Sequence, residues 1–422
     1  MKVLFVIEYF PPFYSGGSEW STFNLAKELA KIGEDVIVIT PNYGAKKTEK
    51  INNIKIIRFP FYIKLKNYHN LPGNFTFTNP LWTLWVAINL FLVFKKEKAD
   101  IIYVQGKYSL PPAYLANIFF KTPLIATIRD YIAICNYGMC LMESDKTCNI
   151  YEYFFRDFRE YLNIYVIKKN FINISKNLVF AIWGRFSKNY LKYFLNHADL
   201  LTSLSKKQKS ILVKNGINVK IKPLYTNYIF KTHLFTKTSK QNVLFVGRLT
   251  YGKGIRLFLD AISLINRKNK NLTFTIIGEG PFAYEVSQKA KYNKSINYIP
   301  HIEHDKLINY FQKSMVLVVP SIWPDPLPRV AMEAISSGTP VVATDSGGLP
   351  EIVKNNRYGY LSKKIPSDLA IKIMKAIKNQ NTLRENIKSD LETLTDTYGS
   401  KLAYRYLSVY QSLIINMKFK PE

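Results

Sequence analysis

Apolar and polar positions along the chain follow two periods that alternate over most of its length. Val3–Ile7 is an unbroken apolar run, the pattern of a strand buried on both faces. After Gly16 and Gly17, apolar residues recur at helical spacing (Trp20, Phe23, Ala26, Leu29, Ala30), and Gly33 ends the run. Val36–Thr40 returns to a strand pattern and completes a strand–helix–strand unit. Ile101–Val104 and Leu124–Thr127 read as further strands of that sheet. Residues 150–240 read as long basic helices followed by the strand-like Leu200–Leu204.

The second half restarts the pattern. Val243–Gly247 is a strand closing on glycine, followed by a helix from about Ile255 to Ile265. Leu272–Ile277, Ile296–Ile299, Met315–Val319 and Pro340–Thr344 are strand-like, with helices around Leu307–Phe311 and Val330–Ser336 between the later ones. Such alternation predicts an α/β fold with two Rossmann-like, doubly wound parallel-sheet domains facing each other across a cleft. At 422 residues the chain is too long for one ordinary core, and 47% apolar residues can fill two. The expected division is a first domain over 1–225 and a second over 226–399, with the linker near 222–242. A terminal helix within 400–422, about Leu402–Ile415, is expected to pack back on the first domain.

Charge adds a preference for partners. Lys+Arg number 59 against 30 Asp+Glu, a formal +29. That field favours nucleoside diphosphates, nucleic acid or an anionic membrane face. Lysine-rich composition is an equally simple source of it. Residues 150–240 carry 17 Lys+Arg and 4 Asp+Glu, with many aromatics. Basic and aromatic residues interleaved in this way suit single strands, but no RNA-binding signature accompanies them and no nucleic acid is expected. The start of the chain meets Glu8, Pro11 and Pro12 soon after its apolar run and reads as a strand rather than a targeting segment. Leu81–Phe94 is too short to span a bilayer. It fits either a core helix or a helix in the membrane interface, with Trp82 and Trp85 near its start and Lys95, Lys96 and Lys98 at its end. The expected location is therefore cytoplasmic, with peripheral attachment to the inner face of the membrane as an extension.

Cys135, Cys140 and Cys148 fall in one short segment. An odd count argues against a disulfide framework. A three-thiolate metal site wants a fourth ligand, usually His, and no His lies nearby. Buried or loop thiols are the expectation, with a local disulfide as the alternative.

Candidate chemistry lies in the loops after the strands. Gly247-Arg248-Leu249-Thr250-Tyr251-Gly252-Lys253-Gly254 joins a strand to a helix. Two cations among glycines at a helix N-terminus suit a diphosphate, which the backbone N–H groups also favour. Arg forks two phosphate oxygens and Lys adds a point charge. The plain alternative is a loop with two solvated cations. Asp325 and Glu333 stand eight positions apart, in the loop after Met315–Val319 and in the following helix. A carboxylate there can accept two sugar hydroxyls, or merely favour the helix dipole. Gly278-Glu279-Gly280 and Gly16-Gly17 are weak signals whose bare backbone permits close approach of a ligand.

Taken in order, these segments resemble glycosyltransferase family 4, over nearly the whole chain. The matches are Pro11-Pro12 with Gly16-Gly17-Ser18-Glu19, Val246-Gly247-Arg248 with Lys253-Gly254, and Gly278-Glu279-Gly280-Pro281. The carboxylate block running into Gly338-Thr339-Pro340-Val341-Val342-Ala343 and Gly347-Gly348-Leu349-Pro350-Glu351 completes the set. The resemblance implies a GT-B fold and metal-independent transfer, with retention, from a nucleotide-sugar donor to a carbohydrate or lipid-linked acceptor. It implies cell-surface polysaccharide, glycolipid or glycoprotein glycan synthesis as the setting. It makes Arg248 and Lys253 the diphosphate ligands and Glu333 the ribose ligand. Asp325 stands where the family has a Glu that touches the donor sugar, one carbon shorter. Leu327, Pro328 and Arg329 bring backbone toward sugar and phosphate. Arg129-Asp130 stands where the family usually reads His-Asp. Arg129 can contact the sugar as a cation but not act as a base, with Asp130 orienting it or Tyr131. Two other readings are an epimerase on the same fold and a non-catalytic membrane- or nucleic-acid-binding module.

Overall fold

The computed structural model describes residues 1–13, 17–65, 72, 74–166, 170–224, 241–269, 271–398 and 401–418. The expected linker lies almost wholly outside these residues. Two sheets carry the chain. The first runs in the order β3-β4-β2-β1-β5-β6-β7-β8. Its strands are β1 (Lys2–Ile7), β2 (Asp35–Asn42), β3 (Thr48–Ile51), β4 (Ile54–Pro60), β5 (Ile101–Gln105), β6 (Leu124–Ile128), β7 (Leu200–Ser203) and β8 (Ile221–Pro223). The second, in the order β11-β10-β9-β12-β13-β14, uses β9 (Asn242–Val246), β10 (Thr273–Ile277), β11 (Ile296–Ile299), β12 (Val316–Val319), β13 (Val341–Thr344) and β14 (Gly359–Ser362). Among the described residues every pairing is parallel except β3 with β4, an edge hairpin that the apolar pattern of the sequence did not mark.

The central strands are buried along their length, as their continuous apolar runs require when helices cover both faces. In chain order the helices that matter below are α1 (Gly17–Lys31), α2 (Pro80–Glu97), α3 (Phe171–Asn196), α4 (Lys206–Lys214), α5 (Ile255–Lys268), α6 (Arg329–Ser336) and α7 (Lys401–Lys418). Pro80 sits in the first turn of α2, Asn79 caps it by accepting from the Leu81 N–H at 2.9 Å, and left-handed Lys98 ends it. Helix α2 is more than a core helix. Trp82, Val86, Leu90 and Phe94 face the core, while Leu81, Leu84, Trp85, Ile88 and Leu92 face outward. Helix α7 returns to the first sheet. Leu402, Ala403, Tyr406, Val409 and Tyr410 join Val3, Phe5 and Tyr103 in one cluster, each buried aliphatic side chain contributing roughly 1.5–3 kcal/mol.

Candidate functional site

The carboxyl ends of β9, β10 and β12 bring three loops together, and backbone packing fixes their shape. Gly278 lies so close to Gly247 that a Cβ there would stand 1.9 Å from the Gly247 carbonyl oxygen. Gly280 meets Leu249 in the same way, at 2.5 Å from its carbonyl oxygen. The Leu249 N–H donates to the Glu279 carbonyl at 2.7 Å. Gly254, at φ +70°, abuts the Pro320 carbonyl, and the N–H groups of Ile322 and Trp323 donate to the Gly252 carbonyl at 2.9 and 3.0 Å. The turn that carries Lys253 is thereby held against the loop that carries Asp325.

That contact has a chemical result. Lys253 Nζ donates to both oxygens of Asp325, at 2.8 and 2.7 Å, and Ser321 Oγ donates to Oδ2 at 2.6 Å. Asp325 is 8% exposed. Its carbonyl accepts from the Gly348 N–H at 2.8 Å, so the glycine pair after β13 packs against the backbone of the loop that carries it. Leu327 is buried and Pro328 immediately precedes α6. Arg329 begins that helix and lies 3.5 Å from Glu333 Oε1, which also meets His304 Nε2 at 3.1 Å. Arg248 is exposed, within electrostatic reach of Tyr165. Gly247, Gly278, Glu279, Gly280, Lys253 and Asp325 are thus one neighbourhood, with Arg248 on its rim; Arg329 and Glu333, one helix turn apart, follow on α6.

The opposite wall uses the carboxyl ends of β1, β5 and β6, which register places side by side. Sequence reading passed over its most unusual member. Glu8 is buried, accepts from the Ser109 N–H at 2.6 Å, and fills the space beside Gly106 where any side chain would collide with it. Burial pushes the Glu8 carboxyl up to about 7, against the pull of Lys107 and the Ser109 N–H. Its only signal in the sequence was a charged residue directly after an apolar run. Burial also works against the Lys107 charge, but Asp130, with Tyr108 and Glu8, outweighs it and raises the pKa. Asp130 does not orient Arg129. It accepts from Lys107 Nζ at 2.5 Å and from the Ile132 N–H at 3.0 Å. Arg129 turns to Gln105, whose amide, with its oxygen toward the guanidinium, accepts from it and donates to Tyr103. Burial lowers the Arg129 pKa, opposed by Tyr103, Tyr406 and Glu19, with Arg329 of the second lobe adding repulsion. Gly16 lies outside the described residues, and Gly17 opens α1.

The two walls touch. Trp323 packs by Tyr131, ring centres 5.7 Å apart, and against Gly138. The Lys206 and Lys207 N–H groups at the start of α4 donate to Glu351 at 3.1 and 3.0 Å. Lys364 Nζ donates to the Met142 carbonyl at 2.6 Å.

Known proteins share this architecture. The profile described as Glycosyltransferase Family 4 matches residues 15–226, and that described as Glycosyl transferases group 1 matches 229–391. Glycogen synthase of Mycobacterium tuberculosis is 23% identical over 85% of this chain and 81% of its own. Sucrose-phosphate synthase from Thermosynechococcus elongatus superposes with a TM-score of 0.72 at 16% identity, over 99% of this chain and all of that one. Anabaena HepE, solved with UDP and glucose, gives 0.63 at 18% identity, over 98% and 99%. These matches support neither an epimerase nor a non-catalytic module.

Proposed function

The chain belongs to glycosyltransferase family 4 and is a glycosyltransferase, and from that premise we propose that it transfers a sugar, with retention, from a nucleoside diphosphate to a hydroxyl acceptor. The observation that supports this most is the Lys253–Asp325 pair beside the bare backbone of Gly247, Gly278 and Gly280. Lys253 stands ready to exchange one anion for another. When a donor diphosphate enters, the ammonium moves from carboxylate to phosphate, and Asp325 is released to accept sugar hydroxyls. Arg248 on the rim swings in as the second cation. Glu333, steadied by Arg329 and His304, accepts the ribose hydroxyls.

Charge builds on the β-phosphate as the anomeric C–O bond breaks. Cations placed in advance stabilise that charge without a cost of reorganisation. The departing phosphate oxygen takes the acceptor's proton on the same face, so no enzymic base is required and configuration is retained. Lys253 and Arg248 take the part of a divalent metal, so donor cleavage is proposed to be metal-independent. A covalent route would need a free carboxylate under the anomeric carbon. Asp130, the carboxylate after β6, is engaged with Lys107, which argues against that route.

UDP, the nucleotide in the HepE structure, heads the donors to test. In a thermal-shift screen of UDP-, ADP-, GDP- and dTDP-sugars, a donor at a hundred times its Kd stabilises the fold by about 2.7 kcal/mol. Arg248→Ala and Lys253→Ala are expected to abolish most of that shift together. A full shift in the double variant would remove the phosphate assignment.

The acceptor is proposed to be a carbohydrate or lipid-linked glycan at an anionic membrane surface. No described helix is long and apolar enough to cross a bilayer. Outward residues at 81, 84, 85, 88 and 92 instead form one helical stripe on α2, and Phe171, Ile172, Val179, Ile182 and Phe186 are exposed on neighbouring α3. In a flotation assay the protein is expected to bind vesicles with anionic lipid over neutral ones. Leu84→Asp with Ile88→Asp should lose that binding; equal binding by the variant would contradict the assignment.

A further inference from the structure

The three cysteines converge on a fourth group that sequence spacing did not suggest. Cys135, Cys140 and Cys148 each place a sulfur within 4.8 Å of the others and of an oxygen of Asp157. The sequence, with no histidine nearby, led to an expectation of buried or loop thiols; a carboxylate stands where a metal site would want its fourth ligand. Three local structures deliver these groups. Cys135 follows β6 by one turn, where its Sγ accepts from the Gly138 N–H at 3.1 Å. Cys140 lies in the short 3-10 helix Met139–Met142. Cys148 precedes Asn149, whose reciprocal capping with Glu152 starts the next helix, and a wide π-type turn over Tyr153–Phe158 directs Asp157 inward.

The separations suit a single ion. A tetrahedral zinc with Zn–S of about 2.3 Å and Zn–O of about 2.0 Å sets S···S near ~3.8 Å and S···O near ~3.5 Å. Cys135 and Cys140 sulfurs are 3.5 Å apart, and Cys148 Sγ is 3.3 Å from Asp157 Oδ2. An iron–sulfur cluster would hold its cysteines further apart than this. A disulfide between any two would leave one thiol facing a carboxylate that is 0% exposed. Such a carboxylate demands a cation. Arg156 meets its outer oxygen at 3.0 Å, leaving Oδ2 to the cysteines.

We propose that Cys135, Cys140, Cys148 and Asp157 bind one zinc ion, which fixes the loop that joins the first lobe to the donor loops. Soft thiolates with one carboxylate select zinc over magnesium or calcium. With four protein ligands the site is closed, hence structural rather than catalytic. Binding converts three thiols to thiolates and releases three protons to solvent, while the carboxylate enters ionised. The site then carries two negative charges, offset by Arg156, with Lys188 of α3 also within electrostatic reach. The loop so fastened reaches the second lobe. Gly138 admits the Trp323 ring, Met142 approaches Gly252, and the Met142 carbonyl receives Lys364. Trp323 is two residues from Asp325, so the ion holds the contact beside the donor cation without touching substrate.

Metal analysis of the full chain, purified without chelators from zinc-supplemented cells, tests this. About one zinc per chain is expected. X-ray absorption should show three sulfurs at about 2.3 Å and one oxygen at about 2.0 Å. Exchange with cobalt should give thiolate-to-metal charge-transfer absorption. Cys148→Ser and Asp157→Asn should each lose most of the zinc. Asp145→Asn, which alters a nearby carboxylate paired with Lys207 and Lys214, should retain it. The wild-type measurements stand even if those variants fail to fold. Wild-type protein with less than about a tenth of an equivalent of zinc, a disulfide among the three cysteines, or a metal shell without sulfur would overturn the proposal.

Discussion

The two walls of the cleft are held by different forces. The second-lobe wall is shaped by backbone against backbone: Gly254 on Pro320, Gly278 on Gly247, Gly280 on Leu249. The first-lobe wall is held by side chains that meet over long sequence distances. Glu8 reaches the Ser109 amide, Arg129 reaches Gln105, and Lys107 reaches Asp130. The second-lobe wall should therefore be the more sensitive to added volume at its glycines, and the first-lobe wall the more sensitive to pH.

Gly254→Ala is the strongest way to break that contrast. The new Cβ would stand 1.7 Å from the Pro320 oxygen at φ +70°. A loss of about 4 kcal/mol in a urea titration is expected, beyond ordinary left-handed strain. A loss no greater than that of Gly33→Ala would show the wall to be pliable. Gly33 has φ +93° and open space around it, so the strain alone, about 1 kcal/mol, is expected there.

Glu8→Gln probes the other wall at an intermediate size. The folded carboxyl titrates near 7, above an ordinary carboxylate. The folded state therefore binds the proton more tightly than the unfolded chain, and stability is complete at low pH and lost as pH rises from about 4.5 to about 7. Gln cannot ionise, so the variant should match wild type near pH 4 and exceed it by about 3 kcal/mol near pH 8. Parallel stability–pH curves for the two proteins would show that burial does not raise the Glu8 carboxyl on folding.

The same contrast explains what could be read from the sequence. Val243–Gly247 and Gly278–Gly280 announced the second-lobe site because local backbone needs leave local marks: an apolar strand, then glycine. Glu8 left only a charge after a strand, since its partner is 101 residues away. Asp157 left no mark because three thiolates are usually completed by histidine, and no spacing rule predicts a carboxylate delivered by a π-type turn. Asp130 was assigned to its chain neighbour, while β5 and β6 pairing set it beside Lys107. Helix α2 was posed as core or interfacial, and its 18 residues are enough to present an apolar stripe each way. The β3–β4 hairpin was silent because Thr48–Ile51 is a short edge strand of three polar residues and one apolar one.

The central claim is that Lys253 exchanges Asp325 for the departing diphosphate. With the nucleotide sugar chosen by the thermal-shift screen, steady-state turnover of Lys253→Ala measures it directly. The account predicts kcat lowered about 10²–10³-fold beyond any rise in KM, the signature of a contact that strengthens in the transition state. An unchanged kcat with a raised KM would show that Lys253 only grips the donor, and would contradict the account.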